Sequence, residues 1–271
     1  MTIPCALTIA GSDNSAGAGL QADLKAFAAQ RVYGLSAVTC VVAETPGLVK
    51  SVFPLDPELL REQIELSLQA FPVSCLKTGM LYNRQLMQAT LDSLKAIGRE
   101  LKIVVDPVMV ASSGDPLLEP DAVEFYQNAI FPIATLVTPN RDEAQVLWGR
   151  TIQDFAELEA AARALTARFQ VPFLVKGGHL GGPHARDILA MPDGLVRDYS
   201  APMVPDVSPH GTGCTFSAAI TAQLAHGRDL SDAVQLAKAY ISAAVEQHHS
   251  WESAMGATVC LNHFPELPSS Q

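Results

Sequence analysis

Short apolar runs alternate along this chain with longer stretches of helical spacing. "ALTIAG" (6–11), "GLSAVTCVVAE" (34–44), "SCLKTGM" (74–80), "KIVVDPV" (102–108), "TLVTPN" (135–140) and "PFLVKGG" (172–178) read as strands, rich in β-branched residues and closed by Gly, Pro or Asn. Between them, "LQADLKAFAAQ" (20–30) and "DPELLREQIELSLQAF" (56–71) place apolar residues at helical intervals, with Asp56 as the expected N-cap. Further helices are expected up to Leu94, from "RDEAQVLW", over about 154–168, and over about 213–226 and 230–248, the last two finishing the fold. "ARDILAM" and "GLVRDYS" predict a hairpin across Pro192–Gly194. Such alternation predicts a mostly parallel sheet with helices on both faces. No repeat or linker divides the chain, so one domain over 1–271 is expected, with a mobile tail "PELPSSQ" from 265.

In such sheets ligands bind beyond the carboxyl ends of the strands. The polar and glycine residues follow that rule: Gly11–Asp13, Glu44, Lys77–Gly79, Asp106, Thr138–Asn140 and Lys176–His179 all fall at or just past strand ends. The net charge of -10, without Lys/Arg runs, argues against nucleic acid and anionic membrane as partners. No stretch reaches the roughly 18 uninterrupted apolar residues of a membrane span. The start "MTIPCALTIAG" lacks the basic region of a secretory signal. Five scattered cysteines without a CxxC pair fit reduced thiols in the cytoplasm and give no zinc site. His248, His249 and His263 match no ligand spacing and are read as surface residues.

Three motifs carry candidate chemistry. In "GSDNSAGAGLQAD" (11–23), Gly17, Gly19 and Ala22 satisfy a dinucleotide fingerprint, and Glu44 stands where a ribose-binding acid would. The step of six positions from Gly11 to Gly17 makes the turn too long for that fold, and the alternative is a loop capped by Ser15. That alternative leaves Ser12–Asp13 and the buried-looking Asp23 unexplained. In "PHGTGCTFSAAI" (209–220), Gly211 and Gly213 let successive N–H groups converge at a helix start, an anion-binding arrangement. The same field is expected to lower the pKa of the Cys214 thiol, making it a base for a substrate hydroxyl. Cys214 is otherwise an inert core thiol or, with His210 or His179, a covalent nucleophile. In "TPNRDEAQVL" (138–147), Asn140 and Glu143 lie one turn apart, able to hold Mg2+ through water, while Lys176 at a strand end suits a triphosphate. Glu143 is equally an acid meeting the helix dipole.

Together, "ALTIAGSD…GAGLQADLKAFAA", "KTGML", "VVDPVMVASSGDPLL", "VTPNRDEAQVL", "VKGGHL" and "HGTGCTFSAAI" resemble the hydroxymethylpyrimidine/phosphomethylpyrimidine kinases of thiamine synthesis, within the ribokinase-like superfamily. The resemblance runs over roughly 5–248, and Cys214 points to the pyrimidine and pyridoxal branch. It implies a three-layer α/β/α sandwich that uses ATP and Mg2+ to phosphorylate the hydroxymethyl group of 4-amino-5-hydroxymethyl-2-methylpyrimidine, then its monophosphate. By position, Cys214 resembles the base and Gly211, Thr212 and Gly213 the anion hole. Gly11, Asp23, Glu44, Met80 and Val108 resemble the pyrimidine pocket. Lys176 resembles a phosphate contact, Asn140 and Thr212 nucleotide contacts, and Glu143 and Asp106 metal-side acids. The family usually has glutamine at Glu44 and often threonine at Pro209. An ionised carboxylate only accepts hydrogen bonds, so Glu44 is expected to bind an aminopyrimidine through a shared proton. A pyridoxal-type kinase and a catalytically silent pyrimidine sensor are the alternatives. A homodimer acting on small molecules is the expected assembly.

Overall fold

The computed structural model describes residues 3–109, 120–178, 180–205, 207, 209–254 and 256–267. Nine strands form one sheet: β1 (Cys5–Asp13), β2 (Tyr33–Thr45), β3 (Leu48–Pro54), β4 (Val73–Thr78), β5 (Lys102–Val105), β6 (Leu136–Val137), β7 (Phe173–Lys176), β8 (His184–Ala190) and β9 (Val196–Pro202). Their order is β3-β2-β1-β4-β5-β6-β7-β8-β9. The six from β2 to β7 are parallel, and β3, β8 and β9 are antiparallel additions at the edges. The chain passes from β1 to β2 on one side and later to β4 on the other. That reversal opens a crevice beyond the carboxyl ends of β1 and β4.

The strand period of two sorts the core into two layers. Leu7 and Ile9 of β1 face one cluster with α2 (Pro57–Ala70), α3 (Arg84–Ala96), α5 (Arg141–Trp148) and α6 (Phe155–Phe169). Ala6 faces the other with α1 (Gly19–Ala29), α7 (Thr212–Ala225) and α8 (Leu230–Glu246). α4 (Pro120–Phe125) runs into a π-helical turn, Tyr126–Ile130, packed on the first face. The expected three layers are present, and each predicted helix and the hairpin form. Asp56 caps α2 as expected by accepting the Glu58 N–H (2.8 Å). Asn83, Asn140, Asp154 and Asp229 cap α3, α5, α6 and α8 in the same way. No membrane-length apolar helix occurs among the described residues.

The structure departs from the sequence reading in three places. The strand expected over 135–140 shortens to Leu136–Val137: the Thr138 N–H still makes a ladder bond to the Val105 carbonyl, and Pro139, which has no N–H, ends it. The edge strand β3 was not expected. Its Val49 and Phe53 are exposed, so it carries no buried alternating face for the pattern to show. A second hairpin, β10 (His249–Ser253) and β11 (Gly256–Cys260), follows α8 where the fold was expected to end. Within the 265–271 tail, the Glu266 N–H and C=O both bond the Gln247 amide at 2.9 Å. Residues 268–271 lie outside the described residues.

Candidate active site

The cleft at the carboxyl edge of the sheet has a volume of about 1360 Å³. Single-ligand pockets occupy roughly 300–1,000 Å³, so there is room for two substrates side by side. One wing carries Gly11, Glu44, Met80 and Val108, and the other Asp187, Met203 and Lys238. The floor between them is made by Lys77, Asp106, Lys176 and Gly211–Cys214.

The floor begins with α7. Among the described residues no side chain caps this helix, so its first N–H groups open onto the cleft. Gly211 has φ +82, and a Cβ there would collide with the Gly17 carbonyl. A Cβ at Gly213 would stand 3.0 Å from Lys176 Nζ. Gly211 is therefore required by conformation and by close approach, whereas a side chain at Gly213 would displace the Lys176 ammonium from the floor. The Thr212 hydroxyl closes the loop by donating to the Pro209 carbonyl (2.8 Å). The Gly17–Gly19 segment packs against this loop instead of presenting its own N–H groups to a ligand, which removes the dinucleotide reading. Ser12 and Asp13 are explained by Gln21: it accepts the Asp13 N–H (2.9 Å) and donates to Ser12 Oγ (2.7 Å).

Two lysines flank the cradle. Lys77, at the end of β4, is fully buried and ion-paired with Asp23 of α1 at 2.6 Å, and Thr8 donates to the other Asp23 oxygen at 2.6 Å. Burial opposes the Lys77 charge, but Asp23, Cys214 and Asp106 outweigh it and hold the ammonium above its ordinary range. Lys176, at the end of β7, pairs with Asp106 at 2.8 Å and keeps 11% side-chain exposure. Asp106 also accepts from Thr138 (3.2 Å) and Ser217 (3.0 Å). Burial works against its charge, yet the two lysines bring it below the usual carboxylate range.

Three expectations need correction. Asp23 is not a pocket residue: it lies fully buried under the floor, neutralising Lys77. The Cys214 thiol is not lowered. Burial pushes it up to about 11, and Lys77 and the Gly19 main chain counter this only in part. His263 is buried, its ring 3.2 Å from the Thr215 hydroxyl, and burial brings it down to about 4.

The acids named for the metal are both engaged. Asn140 and Glu143 form a reciprocal capping box: Asn140 Oδ1 accepts the Glu143 N–H (2.9 Å) and Glu143 Oε2 accepts the Asn140 N–H (2.8 Å). Burial pushes the Glu143 carboxyl up to about 8 despite Lys176. Gly11, Met80 and Val108 do line the cleft. Met80 is held by Thr39, which donates to its carbonyl (2.7 Å), and Tyr126 donates to the Gly79 carbonyl (3.3 Å). Residues 110–118 of the "VVDPVMVASSGDPLL" motif and His179 lie outside the described residues. Cys40 and Cys75 are free thiols buried in the core.

Sequence reasoning put Lys77 and Asp13 at strand ends but missed the Lys77–Asp23 and Asp13–His210 pairs, and it missed Ser217 altogether. Lys77 had a signal, since a lysine closing an apolar strand needs a buried acid, and Asp23 on the inner face of α1 is that acid. Ser217 had none, because a serine inside an apolar helix reads as a small packing residue.

A ribokinase-like sandwich with an uncapped helix start, two lysines and a two-ligand cleft defines a phosphotransferase. A family model for phosphomethylpyrimidine kinase matches residues 13–259, and the chain belongs to that family. A hydroxymethylpyrimidine/phosphomethylpyrimidine kinase of Rhizobium meliloti (strain 1021) is 43% identical over 252 residues, covering 93% of this chain and 94% of that protein. A pyridoxine kinase of Bacillus subtilis (strain 168) is 37% identical, covering 95% and 96%. The solved Staphylococcus aureus pyridoxal kinase in complex with AMP-PCP and pyridoxal superposes with a TM-score of 0.86 at 32% identity, over 98% of this chain and 95% of that one.

Proposed function

We propose that the chain, as one domain, transfers the γ-phosphoryl group of ATP to the hydroxymethyl group of 4-amino-5-hydroxymethyl-2-methylpyrimidine and then to the resulting monophosphate. The observation that carries this reading is the uncapped start of α7, Gly211–Cys214, lying on the cleft floor with Lys77 and Lys176. The Staphylococcus aureus relative holds an ATP analogue and a ring alcohol together, which fits a cleft with room for both.

Each residue then has a physical task. Thr212, Asn140 and Lys176 lie on the nucleotide's phosphates, and the N–H groups of Gly211–Gly213 stabilise charge that develops on the transferred group. Gly11, Glu44, Met80 and Val108 hold the ring. Phosphoryl transfer depends mainly on positioning and electrostatics, so the cradle and lysines carry most of the acceleration. Cys214 accepts the hydroxyl proton once its thiol has ionised, and the charges of Lys77 and Lys176 both favour that form. The carboxylates of Glu143 and Asp106 already accept protein hydrogen bonds, so they fit a hydrated Mg2+ through water and not direct ligation. The ion would neutralise phosphate charge there.

The working place is the cytoplasm. The assembly is a homodimer, for which the exposed apolar residues of edge strand β3, Leu48, Val49 and Phe53, provide a face. Sedimentation at micromolar concentration tests it, and a monomer would remove it.

The pyridoxal-type reading is favoured by one specific finding, the pyridoxine kinase relative. ADP release with the pyrimidine alcohol, its monophosphate and pyridoxal separates the two. The pyrimidine alcohol is expected to give the highest kcat/KM, and faster turnover of pyridoxal would reverse the assignment.

A further inference from the structure

Asp13, Glu44 and His210 bring their ligating atoms within 4.8 Å of one another on the ring side of the cleft. His210 Nε2 lies 3.3 Å from Asp13 Oδ2 and 3.8 Å from Glu44 Oε2. That nitrogen is buried and makes no aligned hydrogen bond, a state that calls for an explanation in a native site.

The three members are not equivalent. Asp13 is committed to its own loop: Oδ1 accepts the Ser15 N–H (2.6 Å), and Oδ2 accepts the Ser15 hydroxyl (2.9 Å) and the Ala18 N–H (2.8 Å). Burial opposes its charge, but His210, Ser15 and Ala18 bring it down to about 2, so it stays ionised. Glu44 is anchored by its backbone, whose N–H donates to Asn14 Oδ1 (2.7 Å). Its carboxylate is 12% exposed and lines the cleft. Burial, and then Asp13, raise it, with His210 pulling the other way. His210 is raised by Asp13 and Glu44 against its burial.

The other titratable groups around the cluster do not supply charge at neutral pH or are engaged elsewhere. Cys40, which faces Glu44, is a thiol pushed up to about 11 by burial. Cys260 of β11, bridged to His210 through the main chain, is raised by burial. Lys25 of α1 gives its ammonium to the Ala16 carbonyl (2.7 Å). Glu44 and His210 are therefore the two members able to change protonation when a ring arrives. With His210 charged, the cluster carries one net negative charge, which is complementary to a monocation.

We infer that Glu44 and His210 form a proton-holding pair that selects a substrate ring bound in its protonated form, a basic amino-substituted nitrogen heterocycle. A neutral ring offers the carboxylate no matching proton at the acceptor nitrogen. A cationic ring turns that contact into a charge-assisted hydrogen bond. His210 immediately precedes Gly211, so it is also a positioning residue between ring and phosphoryl cradle. The inference rests on the pyrimidine reading above and names the charge state that reading leaves open.

Calorimetry of the intact protein with the pyrimidine alcohol, in buffers of different ionisation enthalpy near pH 8, counts the protons taken up on binding. The expected count is about one for the wild type and near zero for Glu44→Gln. In the same pH series, wild-type kcat/KM should fall about tenfold per pH unit above the pKa of the shared proton, and Glu44→Gln should lose that limb. His210→Gln removes the positive neighbour of Glu44, so the limb should move to higher pH, a shift that a merely structural histidine would not cause. Proton-free binding by the wild type, or equal uptake by Glu44→Gln, overturns the inference while leaving the kinase reading intact. No binding and no ADP from the pyrimidine at any pH, with pyridoxal turned over, overturns the kinase reading itself.

Discussion

Lys77 and Lys176 end neighbouring regions of the same sheet, and both charges face Cys214, yet they are built differently. Lys77 and Asp23 are both 0% exposed, and Thr8 closes the second carboxylate oxygen. Lys176 and Asp106 are 11% and 4% exposed, at the cleft floor. A sealed pair cannot change partners, so Lys77 and Asp23 hold a fixed arrangement of charge, with the ammonium towards Cys214. An open pair can hand its ammonium to an arriving phosphate, because water and ligand reach it. Buried ion pairs contribute little net stability, but breaking one leaves an uncompensated charge. The two sites should therefore fail in different ways.

The largest expected effect is on stability. Lys77→Met strands the Asp23 carboxylate in the interior and should cost about 3–5 kcal/mol in urea unfolding. Adding Asp23→Leu should recover part of that loss, since the orphaned charge is then removed. A loss no greater than that of a surface lysine substitution would show that Lys77 is not sealed. Next comes Lys176→Met, which should lower kcat by about 10²–10³-fold, as for removal of a transition-state donor. Its stability cost should be smaller, since Thr138 and Ser217 still bond Asp106. Retained turnover with lost stability would invert the comparison.

Cys214 reports on both lysines. Its thiol lies at about 11, raised by burial against the pull of Lys77. The free enzyme should thus be alkylated slowly by iodoacetamide at neutral pH, with the Cys214 rate rising about tenfold per pH unit. Site-resolved mass spectrometry separates this residue from Cys260. A rate that levels off below pH 9 would mean the lysines win over burial. Lys77→Met should slow the reaction further.

Most of the fold was legible because the central parallel strands β1, β4 and β7 are largely buried apolar runs, and α2 carries an explicit cap in Asp56. Strand β3 and the β10–β11 hairpin escaped because Phe53 and Trp251 are exposed, so no buried period marks them. In the site, the glycine loop, Lys176 and the Asn140–Glu143 spacing were readable as local chemistry. What sequence could not give was pairing across space. Asp23 looked like a pocket acid until Lys77, 54 positions away, was found beside it. Cys214 looked activated because a helix dipole is visible in sequence, whereas the desolvation that outweighs it depends on neighbours brought in by other elements.

The smallest effect probes why the open lysine has a second acid. Burial raises Glu143 to about 8, with Asp106 adding to the rise and Lys176 opposing it. In the unfolded chain a glutamate titrates near about 4.3. The folded state thus holds a proton that the unfolded state releases between those values, and stability falls as pH rises through that window. His210, also raised in the folded state, gives the same sign above its ordinary range. The urea midpoint should therefore fall from pH 6 to pH 8 in the wild type and fall less in Glu143→Gln, which cannot ionise. An equal slope in the variant would place the proton elsewhere and leave Lys176 with Asp106 alone, a pair closer in kind to the sealed one than its exposure implies.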